Sequence, residues 1–178
     1  REVHVKALHN GKDIAFRVEW KDATKDGAPA LGLDTDNFRD GVALQFPVIE
    51  AESPPFFLMG HGEGRGEGAV NIWFWKADWQ EAIDKGVQPA MPMKALLDQE
   101  MEKRVMEEAV AGWEKAMAGG GAGVFGTRVL VKSPVENLIA GGFGTLTMKG
   151  AESQNISGKG RWKDGVWRVV FKRSLEGS

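Results

Sequence analysis

The chain has 178 residues, 42% of them hydrophobic and 27% charged, with a formal net charge of −2. That balance fits one folded domain with a sizeable core, and it excludes a disordered or nucleic-acid-binding segment. There is no cysteine, which excludes disulfides, thiolate metal sites, iron–sulfur ligation and covalent attachment through a Cys-x-x-Cys-His sequence.

Strand-like alternation begins at once in Arg1-Glu2-Val3-His4-Val5, so a processed or incomplete N-terminus is expected in place of a leader. No stretch is long and apolar enough to span a membrane. Residues 3–8 alternate, Asn10-Gly11 follows, and Ile14 to Trp20 alternates again, which predicts a hairpin. Lys21 to Asp36 is polar and reads as a long loop. Asp40-Gly41 then leads into Val42 to Phe46, a core strand, and residues 47–55 connect onward. Pro54-Pro55-Phe56-Phe57-Leu58-Met59 is an apolar run that delivers a thioether to a loop with five glycines between Gly60 and Gly68. Asn71 to Trp79 reads as one strand dense in tryptophan and phenylalanine, residues that favour a pleated, half-buried surface.

Residues 94–118 change period. Leu96, Leu97, Met101, Val105, Met106, Ala109, Val110 and Trp113 recur at three- and four-residue steps, with Pro92 before them and Gly119-Gly120-Gly121 after. This predicts an amphipathic helix inserted into a β body. Thr127 to Val131 alternates, and Ala140 to Thr147 reads as a glycine-kinked strand. Ile156 to Trp162, Asp164-Gly165 and Val166 to Arg173 form a second hairpin. Short strands with turn signals and one helix predict a mainly β fold, an immunoglobulin-like or DOMON-like β-sandwich, in one domain over residues 1–178.

The candidate chemistry is sparse. Of the three histidines, His4 and His9 lie on or beside the first strand, while His61 sits in the Gly-rich loop where it could ligate a metal. Asp34, Asp36 and Asp40 could hold calcium, although the EF-hand spacing is absent and turn capping explains them equally. Gly62-Glu63-Gly64-Arg65-Gly66 has glycine spacing but no βαβ context, so a nucleotide site is rejected. Met59 reads either as core or as a soft ligand, and the tryptophans either as core or as the wall of a flat apolar ligand. Lys159 stands between Gly158 and Gly160. It reads as exposed, or as a ligating amine if burial keeps it neutral.

Several motifs together carry a resemblance. They are Val18-Glu19-Trp20-Lys21-Asp22, Asp40 to Pro47, Leu58-Met59-Gly60, Val70 to Trp79, Gly142-Phe143-Gly144-Thr145-Leu146-Thr147 and Gly158 to Arg173. In this order the chain resembles the haem b-binding gamma subunit of ethylbenzene dehydrogenase and its relatives in the type II group of the dimethyl sulfoxide reductase family, among them dimethyl sulfide dehydrogenase, selenate reductase and chlorate reductase. The resemblance runs nearly end to end, apart from the 94–118 segment. It implies one non-covalent haem b with methionine and lysine as axial ligands. Met59 matches the methionine motif and Lys159 is the first placement of the lysine. Lys149 and Lys172 are alternatives, Lys132 is a weaker one, and His61 is the fallback. Trp73, Trp75 and Phe143 would line the macrocycle, and Arg65 would meet a propionate. The implied role is non-catalytic electron transfer in the periplasm, between the iron–sulfur subunit of a molybdenum enzyme and a soluble cytochrome or other redox partner. Two readings compete with it: a carbohydrate-binding sandwich with exposed tryptophans, and a free-standing haem sensor or carrier.

Overall fold

A computed structural model describes residues 2–27, 38–48, 68–87, 89, 131–142, 145–150 and 153–176. Both predicted hairpins form for the reasons their turns suggest. β1 (Val3–His9) and β2 (Asp13–Lys21) pair antiparallel. In their turn the Asn10 side-chain oxygen accepts hydrogen bonds from the backbone N–H groups of Lys12 and Asp13, which is why Asn serves there. At the other end of the chain, β7 (Ser157–Lys163) and β8 (Val166–Ser174) are joined through Asp164 and Gly165, both at positive φ, 53° and 71°. That is the backbone a two-residue hairpin turn demands. Strand β2 pairs with β8, so the two hairpins make one sheet in the order β1-β2-β8-β7.

The second sheet runs β3-β4-β5-β6, built from β3 (Gly41–Pro47), β4 (Val70–Lys76), β5 (Val135–Ala140) and β6 (Thr147–Met148). All its pairings are antiparallel, and the two sheets form the expected β-sandwich.

Three elements differ from their sequence reading. The aromatic strand stops at Lys76, and Ala77–Asp84 is a helix, α1. The reason is local. Ala77 to Asp84 is a run compatible with helix and has Asp78 in its first turn, where an acid suits the helix dipole. Past the end, Gly86 takes φ +69°. The Gly86 N–H bonds to the Ile83 carbonyl and the Val87 N–H to the Ala82 carbonyl, a Schellman termination. Second, the glycine-kinked strand expected over 140–147 is not continuous: β5 ends at Ala140, the chain bends at Gly141-Gly142, and the short β6 begins at Thr147, with residues 143–144 outside those described. Third, β5 itself carries no alternation because all six of its residues are buried. The helix expected over 94–118 and the alternating residues 127–130 lie outside the described residues.

The core lies between the sheets. Trp20, Trp73, Trp75 and Trp167 are buried there with Val18, Val135, Ile156, Val169 and Phe171. Each such indole removes enough surface from water to contribute roughly 4–6 kcal/mol of gross transfer free energy. Trp75, wholly buried, packs edge-on against Trp20 and Trp167, with ring centroids 6.4 and 4.9 Å away. Its other neighbour is backbone: a β-carbon on Gly160 would collide with the Trp75 indole, and one on Gly158 with Val135. Gln80 of α1 ties this contact off. Its side-chain oxygen accepts from the Gly160 N–H at 2.8 Å and from the Trp75 indole N–H at 3.4 Å.

The opposite face of the β4 sheet carries a second apolar cluster, Val70, Ile72, Leu138 and Ala140, with Phe74, Leu146 and Met148 against it. A buried ion pair, Lys76 with Glu136, lies at its edge, and the Lys76 Nζ sits 3.9 Å from the Trp79 ring centroid. Such a pair tolerates burial because each charge has its partner, and loss of either partner would leave the other uncompensated.

Gly160→Ala should therefore destabilise the fold by about 1–3 kcal/mol or more through overpacking. Gly165→Ala should leave the sheet contact intact while straining the turn. Denaturant melts of the two variants check this, with a reduced tryptophan burial signal expected for Gly160→Ala only.

Candidate functional site

Period-two alternation decides which side chains enter the sandwich. On β4, Asn71, Trp73 and Trp75 share the inner face. On β8, Trp167, Val169, Phe171 and Arg173 do so, paired across β2 with Trp20, Val18, Phe16 and Ile14. Trp75 and Trp167 mark one end of the interior. Trp73 and Arg173 mark the other, and this second end is the candidate site.

Its wall is aromatic. Trp73 meets Phe46 at 4.7 Å and Phe16 at 6.0 Å between ring centroids, and Phe16 meets Phe46 at 5.6 Å. Above the Trp73 ring lies the Arg173 guanidinium, 5.8 Å from the centroid. The Arg173 Nε is buried and has no hydrogen-bond partner. Lys149 follows β6, on the inward-facing alternation with Thr147, and is partly buried. Desolvation pushes its amine below the ordinary lysine value of 10.5, and the positive charge of Arg173 pushes it the same way.

A chain of amides fixes this end. The Trp73 indole N–H donates to the Asn71 side-chain oxygen at 2.9 Å. The Asn71 amide donates to the Asn137 side-chain oxygen and to the Leu138 carbonyl. The buried Asn137 amide donates to the Ser153 carbonyl at 2.7 Å. Gln154 closes the chain: its oxygen accepts from the Asn137 N–H, and its amide donates to the carbonyls of Asn137 and Lys149. The Lys149 N–H in turn bonds to the Asn137 carbonyl. Both backbone groups of Lys149 are thus held by the network that orients Trp73. Buried amides so fully paired rigidify a site.

The predicted residues fall in different places. Trp73 is in the site. Trp75 is in the core, enclosed by Trp20, Trp167 and Gly160. Lys159 is on the outer face of β7, its side chain 77% exposed and its Nζ 3.9 Å from an Asp84 carboxylate oxygen. The structure does not bring it to Trp73. The two glycines flanking it face inward, where they admit Trp75 and Val135 and not a planar ligand. Lys172 is exposed and paired with Asp13 at 3.1 Å, and Lys132 is exposed. Of the four lysines weighed, Lys149 alone lies on the aromatic end. Met59, His61, Arg65 and Phe143 lie outside the described residues, as do Asp34 and Asp36. The segment bearing Met59 joins the described fold at Val48 and Gly68, and the Val48 N–H bonds to the Ala69 carbonyl beside that joint. Phe143 follows Gly142, two residues beyond the Ala140 that pairs with Val70. Both connections therefore spring from the end of the β3-β4-β5 sheet that Pro47, Val70 and Ala140 form.

Asp40 has a structural task. Its carboxylate accepts from the Trp167 indole N–H and the Asp26 N–H. Burial raises its proton affinity despite those bonds. Among the described residues no three His, Cys, Asp or Glu side chains converge as a metal group, and no helix is long and apolar enough to cross a membrane. The described tryptophans are buried, apart from the half-buried Trp162, so they form no exposed platform of the kind a sugar-binding face uses. The residues missed in the sequence were Arg173, Asn71, Asn137, Gln154, Phe16 and Phe46. Strand alternation could have placed Arg173 inward with Phe171, whereas the amide chain arises from contacts across strands and had no local signal.

Fold and site together define a β-sandwich with an aromatic, cationic end. The chain belongs to the ethylbenzene dehydrogenase family, whose model matches residues 1–178. It is also similar to the chlorate reductase subunit gamma of Ideonella dechloratans, at 29% identity over 96 residues. That match takes in 52% of this chain and 36% of the relative, so it spans little more than a third of the relative's length.

The desolvated amine makes a testable statement. In the unfolded chain Lys149 stays protonated up to its ordinary range, whereas in the fold it releases its proton earlier. Across that interval the unfolded state binds more protons, so stability rises with pH toward 10.5 and the cost is fully present below the depressed value. Lys149→Met should be more stable than the parent at pH 7 and should flatten the rise between pH 7 and 10.5. Urea titrations of both proteins across that range measure it, and parallel pH profiles would contradict it.

Proposed function

We propose that this chain is the haem b-carrying, electron-transfer part of a multi-subunit oxidoreductase of the periplasm. Catalysis would lie in a molybdenum subunit, and electrons would pass through an iron–sulfur subunit to or from an external partner. Family membership and the similarity to a chlorate reductase gamma subunit support this reading. The observation that carries it to particular residues is Lys149, a desolvated amine with a pinned backbone, near enough to feel the charge of the Arg173 guanidinium, which lies over Trp73 and lacks a partner at Nε.

The residues of this end fit a haem. Trp73, Phe46 and Phe16 offer an apolar wall that keeps water from one face of a large flat ligand. Lys149 supplies a nitrogen donor whose protonation is disfavoured by burial and by Arg173, and a neutral amine is the form that ligates iron. Met59, on the connection between β3 and β4, supplies the sulfur donor. We take Lys149 in place of Lys159, because an exposed ammonium beside a carboxylate lacks the desolvation that a ligating amine needs. Bound here, haem b supplies a one-electron iron couple, which methionine ligation moves to higher potential. Were Met59 and Lys149 both to hold the iron, substrate would find no place on it. That is the reason to assign carriage of electrons, and not turnover, to this subunit. The amide chain from Trp73 to Lys149 holds ring and donor in fixed relation, the support that ligands of a metal ordinarily require.

Optical spectra of the haem-loaded protein test the proposal. One haem per chain with a six-coordinate low-spin spectrum is expected. Met59→Ala and Lys149→Ala should each convert it to a high-spin spectrum and weaken haem affinity by about 10–100-fold, while Lys159→Ala should leave it unchanged. A protein that takes up no haem would sink the proposal. A spectrum sensitive to Lys159 and indifferent to Lys149 would return the ligand to β7.

A further inference from the structure

Arg173 has no task in the fold that its surroundings explain. It lies on the inner face of β8, on the alternation shared by Trp167, Val169 and Phe171, positions otherwise filled by core residues. A guanidinium stays charged at any pH a protein survives, and a buried charge is ordinarily paired. Yet the Arg173 Nε is buried with no hydrogen-bond partner, and among the described residues no carboxylate pairs with Arg173. Its other arginine and lysine neighbours on β8 behave differently. Arg168 is paired with Glu19 at 2.8 Å, and Lys172 with Asp13. The contrast is along one strand: the outward cations Arg168 and Lys172 have acids, and among the described residues the inward Arg173 has none.

What Arg173 does have is the Trp73 ring, whose centroid lies 5.8 Å from its guanidinium carbon, and Lys149 close enough to feel its charge. A cation–π contact with an indole attracts the guanidinium without using any of its N–H donors. The guanidinium is charged at any working pH, so Arg173 supplies a permanent positive charge at this end. An aromatic wall beside a guanidinium whose buried Nε lacks a partner is complementary to a flat apolar ligand that ends in a carboxylate.

We propose that Arg173 is a positioning residue that receives a propionate carboxylate of the haem and so sets how the ligand is seated against Trp73. This rests on the haem reading above and adds the residue that recognises the ligand's charged edge. Guanidinium and carboxylate would satisfy each other, which removes the cost of the orphaned buried Nε only when ligand is present. Arg173 therefore discriminates a porphyrin with free carboxylates from one without them.

The test pairs a variant with a modified ligand. The 178-residue chain, as the parent and as Arg173→Gln and Arg173→Lys, is titrated with haem b and with haem b dimethyl ester, whose propionates carry no charge. The parent should bind the ester about 10–100-fold more weakly than haem, the range expected for one charge-assisted hydrogen-bonded contact. Arg173→Gln should bind haem about as weakly as the parent binds the ester, with no further loss on esterification. Arg173→Lys should recover part of the difference. A parent that binds haem and ester equally overturns the role of Arg173 and leaves the haem reading standing, and this comparison needs no variant to fold. A full loss on esterification that persists in Arg173→Gln overturns it too, because another cation then holds the propionate. A parent that binds neither ligand overturns the function proposed above and this inference with it.

Discussion

The two sheets of this protein meet through one tight contact, the Trp75 indole in the space that a side chain on Gly160 would need. Much else follows from it. Gly158 and Gly160 must lack β-carbons so that β7 can lie close to Trp75 and Val135. Trp75 is thereby held against Trp20 and Trp167, and Gln80 is drawn in to satisfy both the Trp75 indole and the Gly160 N–H. The helix that bears Gln80 follows β4 directly, so the strand has to end at Lys76. Close packing at this end is a matter of dispersion and excluded water, with no chemistry in it.

The other end has a different character. There the interior positions hold Trp73, Asn71, Asn137, Thr147, Lys149 and Arg173, and a continuous chain of amides replaces apolar contact. A core that only needed stability would not place two cations and two asparagines between its sheets, because each polar group there must find a partner or cost free energy. The asparagines do find partners. Lys149 adjusts by shedding its proton more readily, and the Arg173 Nε finds none. This gradient, from a dry tryptophan core to a polar end with an unmet donor, is the physical content of assigning a ligand to one end of the sandwich.

How much of this was legible beforehand depends on whether the signal was local. Asn10-Gly11 and Asp164-Gly165 announced both hairpins because turn geometry is written in two residues. The sandwich followed from the number of short strands. Helix α1 was missed because the Trp-Phe-Trp rhythm carried the reading past Ala77, although Gly86 was available as a stop. Strand β5 was missed because it is buried on both faces, which erases alternation. Gly-Lys-Gly drew attention to Lys159 as a place where a ligand could approach backbone, yet on a strand the glycines and the lysine point opposite ways. The glycines serve Trp75, and Lys159 is turned to solvent. Lys149 has no motif of its own, and only the pairing of β6 with β5 brings it inward. Trp73, read from the aromatic strand as part of a ligand wall, lies at the end proposed for the ligand, while Trp75, two residues along the same face, is enclosed in the core.

The central claim is that the ligand sits at the Trp73 end and not at the Trp167 end, and the seven tryptophans provide the reporters. In nitrogen-15 spectra of the ferric, haem-loaded chain, the Trp73 indole N–H resonance should be strongly shifted and broadened by the unpaired spin, while those of Trp162 and Trp167 keep nearly their diamagnetic positions. The reverse pattern, with Trp162 and Trp167 shifted and Trp73 unmoved, would place the iron at the far end and contradict the account.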